Sequence, residues 1–487
     1  MTGSGSARER DTSDRRSEGL ESPVEGFNAR ARAAVADRSL HDAVALTTQR
    51  LTANRDAALG ALPQAPSLRE RAYRIKQRTI ADLDRYLEQM AEAVERDGGQ
   101  VHFASDGAEV TRYVGELARR RGARLIVKSK SMASEEIELN RRLEDGYAEL
   151  EVVETDLGEW IAQIAGDHPS HTIAPILHMN RQQVADTLST LADQPLPADP
   201  QELMRFARAR LREKFLTADI GITGANFGVA ETGTVVLVTN EGNGRLVTSM
   251  PPVHVVLMGI EKLVPRLEDL SVFLALLARS GTGQKLSAYT SFVTGPRRAG
   301  ELDGPEELHL VLMDNGRSRL LGTDFEEALY CIRCGACSNV CPVYRQTGGH
   351  AYGSTYSGPI GAVITPLLMG QDRARDLPYA SSLCGACSEV CPVGIPLAEL
   401  LLKLRNRHVE SGLAERGERV AFAGFARTMS SPAAYRTAAA AARFARVPLA
   451  RAAGSRSLPG PLGGWTGSRD LPSPAPKSFR QLWREGI

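Results

Sequence analysis

Seven cysteines occur in the 487-residue chain, and all seven fall in two short runs. The first is Cys331-Ile-Arg-Cys334-Gly-Ala-Cys337-Ser-Asn-Val-Cys341-Pro342; the second is Cys384-Gly-Ala-Cys387-Ser-Glu-Val-Cys391-Pro392. The C-x2-C-x2-C-x3-C-P spacing is that of bacterial ferredoxins, in which three close thiolates hold one iron-sulfur cluster and the fourth reaches across to another. Crossing the ligands in this way assigns Cys331, Cys334, Cys337 and Cys391 to a first cluster and Cys341, Cys384 and Cys387 to a second. The second is one thiolate short. Aligning the runs puts Ser381 where a first cysteine would stand, which leaves open a three-iron cluster or a four-iron cluster with a non-cysteine ligand. If the segment from Cys337 to Cys341 is helical, its two thiolates are separated by about 6 Å of axial rise, which makes the clusters neighbours and an electron relay.

Other uses of cysteine fit less well. Core cysteines would be scattered along the chain, and a disulfide framework belongs to short secreted proteins. Four close thiolates also suit tetrahedral zinc, but the x2, x2, x3 spacing ending in proline favours iron-sulfur.

The runs need a scaffold. Thr323-Asp-Phe-Glu326 reads as a capping box that starts a helix running into Cys331. Between the runs, residues 350–360 are glycine-rich and aromatic and are expected to wrap the clusters and shield them from water. Pro396 opens a helix with Leu397, Leu400, Leu401 and Leu404 on one face. Residues 305–410 therefore read as a mainly helical, ferredoxin-like two-cluster domain.

Upstream, residues 97–300 read as one α/β domain. Strand-like runs at 101–104, 123–127, 150–153 and 172–177 alternate with amphipathic stretches, which suits a parallel sheet. Residues 233–239 and 245–248 flank Asn240-Glu-Gly-Asn-Gly244 and suggest a hairpin, and 253–258 reads as a buried strand. Residues 26–96 are helical, with a capping box at Ser67-Leu-Arg-Glu70 opening a helix that continues past Val94 to Gly98-Gly99. Residues 1–25 have almost nothing to bury and read as a disordered tail. From Ser411 onward there are twelve Lys or Arg against four Asp or Glu, an alanine-rich helix near 437–446, and an aromatic ending, Lys477-Ser-Phe-Arg-Gln-Leu-Trp483, read first as packing and second as partner contact.

The α/β region has no Walker run and no G-x-G-x-x-G, and Gly281-Thr-Gly283-Gln-Lys285 is too short to count as more than a loop. The glycine-rich stretch from Gly221 to Thr234 is more suggestive, because glycines let backbone amides approach a ligand. Within it Glu231 reads first as a turn or capping residue and second as a site carboxylate. His168, His171 and His178 lack a cysteine or carboxylate at ligand spacing and read as ordinary polar residues. No nucleophile, base and oxyanion set can be assembled, so an electron-transfer subunit is favoured over the alternative, in which the α/β domain is itself a catalytic or small-ligand-binding unit served by the clusters.

Hydrophobic content of 42% and charged content of 24% are ordinary for a globular protein, and a net charge of +1 gives no drive toward nucleic acid or a membrane surface. No run approaches the roughly twenty apolar residues of a transmembrane helix. The start, Met1-Thr-Gly-Ser-Gly-Ser-Ala-Arg, lacks the apolar core of a signal peptide, so a reducing, cytoplasmic location is expected.

The layout resembles the lactate utilization protein B family. The residues that carry the likeness are Gly224-Ala-Asn-Phe-Gly-Val-Ala-Glu-Thr-Gly-Thr234, the two cysteine runs separated by Ser357-Gly-Pro-Ile-Gly-Ala-Val-Ile-Thr-Pro-Leu-Leu368, and the Phe479-Arg-x-x-Trp483 ending. The resemblance spans residues 27–487. It implies an iron-sulfur subunit of a three-protein system that oxidises L-lactate to pyruvate. The partners implied are a cysteine-rich-domain protein and a second α/β-domain protein, and the implied fold is similar to sugar-phosphate isomerases and coenzyme A transferases. Family members also have seven cysteines, usually described as holding two four-iron clusters. The arrangement is similar as well to the iron-sulfur subunit of succinate dehydrogenase, which has a three-iron centre, so the ligand replacing the missing thiolate stays open.

Overall fold

The computed structural model describes residues 26–171, 173–444 and 475–486. The expected disordered tail at 1–25 and the Pro- and Gly-rich segment at 445–474 lie outside them. The chain divides into two compact units, residues 1–408 and 409–487.

Among the described residues ten strands follow in chain order: β1 (Gln100–Ala104), β2 (Leu125–Lys128), β3 (Glu151–Glu154), β4 (Ile220–Thr223), β5 (Phe227–Val229), β6 (Thr234–Thr239), β7 (Val253–Gly259), β8 (Leu263–Val264), β9 (Tyr289–Val293) and β10 (Glu307–Met313). Six of them form a parallel sheet in the order β1-β10-β7-β4-β2-β3. Its central strands are buried throughout, β4 as Ile-Gly-Ile-Thr and β7 as Val-His-Val-Val-Leu-Met-Gly. Continuous apolar runs of this kind are what a parallel strand covered on both faces requires. β5, β6, β8 and β9 form a smaller mixed sheet in the order β8-β5-β6-β9.

The α/β body extends beyond residue 300, because β10 inserts between β1 and β7. A Pro- and Gly-rich connection at 295–305 separates it from the earlier strands and reads as a boundary in sequence. The expected hairpin does not form. Residues Asn243–Ser249 are helical, and β6 pairs instead with β5 and β9. Val247 is fully buried in that helix, beneath Gly221 of β4, so packing overrides the strand preference of its Val-Thr pair. Residues 173–177 are turn rather than strand, interrupted by Pro175. The long helix from Ser67 is two helices, Ala65–Ala81 and Leu83–Arg96, broken at Asp82. Ser67 lies inside the first, with its hydroxyl on the Gln64 carbonyl at 2.9 Å, and caps nothing.

Beyond residue 318 of the first unit, the described residues form helices and 3-10 turns. Leu397–Glu410 buries Leu397, Leu400, Leu401 and Leu404 as its spacing predicts. The α/β body and this region share one hydrophobic core, in which Val229, Phe273 and Leu308 lie in the same cluster as Cys337, Tyr344 and Leu400. Helix Leu267–Gly281 ends where a side chain would meet the Cys334 carbonyl at 2.7 Å, so Gly281 permits that close approach. In the second unit, helices Arg416–Met429, Pro432–Phe444 and Phe479–Arg484 are described. Within that unit the Phe479 and Trp483 rings lie 5.8 Å apart.

Candidate iron-sulfur site and the cavity beside it

Both cysteine runs use one backbone device. Arg333 and Leu383 adopt positive φ (58° and 54°), each is followed two residues later by a left-handed glycine, Gly335 or Gly385, and a short helix then begins. Holding a non-glycine residue in that region costs on the order of 1–2 kcal/mol, and the turn turns an amide toward the first side chain of each run. Arg333 N–H donates to Cys331 Sγ at 3.4 Å, and Leu383 N–H donates to Ser381 Oγ at 3.1 Å. Ser381 thus occupies in the second turn the place Cys331 occupies in the first. The last cysteine of each run also accepts an amide: Cys341 from Tyr344 at 3.5 Å and Cys391 from Ile395 at 3.4 Å. The Thr323–Glu326 box is only partly formed: Glu326 accepts from Gly322 N–H at 2.7 Å, and the turn that follows, Glu326–Tyr330, is 3-10.

Cys331, Cys334, Cys337 and Cys391 line one cleft, closed by Tyr356, Ile360 and Val393. Burial and then the neighbouring Cys391 push the Cys334 thiol up; burial and then Cys331 raise Cys391 to about 11. The remaining three influence one another. Burial and then Cys341 raise Cys387 to about 11, and Cys384 is among the groups raising Cys341. Cys384 alone is exposed, and the Ala386 amide and Ser382 hydroxyl lower it. Buried thiols that resist ionising on their own fit a site where metal supplies the compensating positive charge. Among the described residues no three cysteine sulfurs lie within 4.8 Å of one another.

Several supports were invisible to sequence reading. Arg69, in helix Ala65–Ala81, donates to the Cys391 carbonyl at 2.7 Å and the Ser388 carbonyl at 2.8 Å. Arg405 donates to the Pro378 and Ser381 carbonyls at 2.9 and 2.8 Å. Tyr352 is buried near both Cys341 and Cys337. Of the residues singled out in the α/β region, Glu231 accepts from Leu267 N–H at 3.1 Å and caps helix Leu267–Gly281. His178 bridges Ser170 and Asp167, each at 2.8 Å, while His350 reaches the His168 carbonyl at 2.7 Å. His171 faces Asn339 at 3.2 Å. These histidines tie the 167–178 loop to the cysteine region.

A cavity of about 260 Å³ opens at the carboxyl ends of β2, β4 and β7. Lys130 follows β2, Gly224 and Asn226 follow β4, and Lys262 follows β7. The loop at 281–284 also lines it, as do Arg333 and Cys334 of the first cysteine run. A buried ion network forms one wall: Arg317 meets Glu261 at 2.7 Å and Glu136 at 2.6 Å, and Arg333 meets Glu261 at 3.4 Å while lying over the Tyr356 ring at 4.5 Å. Burial pushes Glu261 up, yet Arg317 and Arg333 together hold it down to about 2. Burial, then Arg333, press Lys262 down to about 8. No spacing rule links positions 261, 317 and 333.

Comparison with known proteins matches the LUD domain over residues 87–313, a 4Fe-4S dicluster domain over 327–395, and the lactate utilisation protein B C-terminal region over 405–486. Lactate utilization protein B of Shouchella clausii (strain KSM-K16) is 47% identical over 94% of this chain and 96% of its own. Its counterpart in Bacillus licheniformis (strain ATCC 14580) is 49% identical over 84% of this chain and 86% of its own. An uncharacterized electron transport protein of Escherichia coli (strain K12) is 46% identical over 83% and 85%. With identity at this level across nearly the whole of both chains, and with the dicluster domain falling on the paired cysteine turns, the chain belongs to the lactate utilization protein B family.

Proposed function

We propose that this protein is the iron-sulfur electron-transfer subunit of a complex that oxidises L-lactate to pyruvate and so allows growth on lactate. The observation that carries the reading is the helix Ala336–Val340, which places Cys337 with one group of cysteines and Cys341 at its end with the other. Cys331, Cys334, Cys337 and Cys391 would hold a first cluster; Cys341, Cys384 and Cys387 would hold a second, of four-iron type with a non-cysteine ligand or of three-iron type. Bound there, the clusters supply one-electron exchange. The chain's own residues do the rest. Arg333 and Leu383 present amides to the ligand positions, Tyr352 and Tyr356 exclude water, and Arg69 and Arg405 hold the second run in place.

No dinucleotide fingerprint is present to take a hydride, so lactate chemistry is assigned to partners: a cysteine-rich-domain protein and a second α/β-domain protein. The names carried by the relatives support the substrate and the electron-transport role. The α/β body is read as similar to sugar-phosphate isomerases and coenzyme A transferases on the family resemblance. No helix of the described residues is long and apolar enough to cross a membrane; a reducing cytoplasm would suit the free thiols.

The test is purification of the complex from the native cell under anaerobic conditions, followed by addition of L-lactate. Lactate-dependent bleaching of cluster absorbance in the complex, and none in the isolated subunit, is the expected result. Turnover of lactate by the pure, cluster-loaded subunit with an artificial acceptor would overturn it.

A further inference from the structure

The cavity beside the first cysteine group sits where the parallel sheet reverses its winding. From β2 the chain moves outward to β3, whereas from β4 it moves the opposite way, to β7 and then β10. The carboxyl ends of the strands at such a switch point form the crevice in which open α/β sheets bind their ligands. Here the crevice is floored by the segments that leave β2 and β4, including Lys130 and Asn226. Gly224 lets the β2 and β4 segments approach closely, since a side chain at that position would meet Ser131 Oγ at 2.8 Å.

Its charge is unbalanced in a specific way. Glu261, the carboxylate beside Lys262, is already engaged by Arg317 and Arg333 at 2.7 and 3.4 Å. The other two lining carboxylates accept amides at the start of helix Leu157–Ala165: Asp156 from Gly158 and Glu159, and Glu241 from Leu157. Among the described residues neither Lys130 nor Lys262 forms an ion pair, and both line the cavity. Arg333, with 7% of its side chain exposed, also lines it and leaves a buried Nη1 without a hydrogen-bond partner. A buried cationic donor without an acceptor, as at Arg333 Nη1, is costly unless something negative meets it, and the half-buried Lys130 and Lys262 leave their ammonium groups free to join it. A volume of about 260 Å³ suits a small molecule.

We propose that this cavity binds a small organic or inorganic anion bearing a carboxylate or a phosphate group, held by Lys130 and Lys262, and that its occupancy is sensed at the first cysteine group through Arg333 and Cys334. Those two residues line the cavity and the cysteine cleft alike, so a charge arriving on one side changes the field on the other. The binding half goes beyond the electron-transfer reading; the sensing half rests on the assignment of the first cluster to Cys331, Cys334, Cys337 and Cys391.

The experiment titrates the cluster-loaded protein calorimetrically with pyruvate and, separately, with inorganic phosphate, and follows the electron paramagnetic resonance of the reduced protein at each end point. At least one probe is expected to bind with a stoichiometry of one, more weakly at high salt, and at least tenfold more weakly in Lys262→Gln and in Lys130→Gln. Lys403→Gln, on helix Leu397–Glu410, is expected to bind as the unaltered protein does. The bound probe should shift the signal of the cluster that Cys391→Ser alters, and the shift should vanish in Lys262→Gln. Binding of neither probe, or equal binding by the unaltered protein and both lysine variants, would overturn the site. Binding that weakens as expected but moves no cluster signal would overturn the sensing half alone. If Cys391→Ser alters the same cluster as Cys341→Ser, the cluster assignment fails while the anion site stands on the calorimetry.

Discussion

The two cysteine runs share a turn and differ in what surrounds it. The first is enclosed: Ile332 is buried, Arg333 reaches into the α/β body to Glu261, and Gly281 lets a helix end touch Cys334. The second is tethered from outside by Arg69 and Arg405 through backbone carbonyls, and its Cys384 is exposed. One local geometry therefore serves two environments. Solvent exposure and hydrogen bonds to sulfur are among the levers that set cluster potentials, so on the proposed assignment two clusters held here would differ in potential.

The sharpest way to break the comparison is to remove the crossing ligands. Cys341→Ser, although in the first run, is expected to leave the second site with two thiolates and abolish that cluster. Cys391→Ser, in the second run, leaves the first site with three and converts its cluster. Iron content and electron paramagnetic resonance of the two variants decide this, and the reverse pattern would refute the crossed assignment.

A gain-of-ligand variant sharpens the same point. Because Ser381 Oγ accepts the Leu383 amide as Cys331 Sγ accepts that of Arg333, Ser381→Cys is expected to give the second site a fourth thiolate. Only the second cluster's spectrum should change; a change confined to the first would show that the two turns are not equivalent.

Next in size is the tether. Arg69→Ala removes two charge-assisted hydrogen bonds, a loss of about 2 kcal/mol, from the second run only. Because Cys391 is assigned to the first cluster, chelator-driven cluster loss should become faster at the first site and stay unchanged at the second. Equal acceleration at both would mean that Arg69 supports the whole region.

An effect confined to acid pH separates the α/β body from the cysteine region. His254, in β7, donates or accepts at Thr223 Oγ1 at 2.9 Å, and burial followed by the His309 charge lowers it to about 3 from an ordinary 6.5. The unfolded chain takes up that proton first. Stability from this group is thus complete above about pH 6.5 and is lost as pH falls toward 3, by roughly 1.4 kcal/mol for each pH unit. His254→Gln should flatten this part of the stability–pH curve, as followed by denaturant unfolding of the cluster-loaded protein.

Spacing along the chain was enough to read the cysteine runs, because ligands within a few residues of one another are placed by a single turn. The apolar run of β7 was legible for a similar reason: a strand buried on both faces needs no partner to be identified. Asn243–Ser249 was not, since its Val-Thr pair prefers extended backbone and only packing of Val247 against Gly221 makes it helical.

By itself, then, the sequence determined the iron-sulfur character, the serine at 381 where the second run lacks a cysteine, and the α/β character of the first part of the chain, all of which are written in residues close to one another. The tertiary structure alone decided that β10 enters the sheet between β1 and β7, that Arg69 reaches Cys391 across 322 positions, and that Glu261, Arg317 and Arg333 meet beside a cavity that borders Cys334. These contacts join segments with no shared periodicity, and they exist only because a common core brings the α/β body and the cysteine turns together.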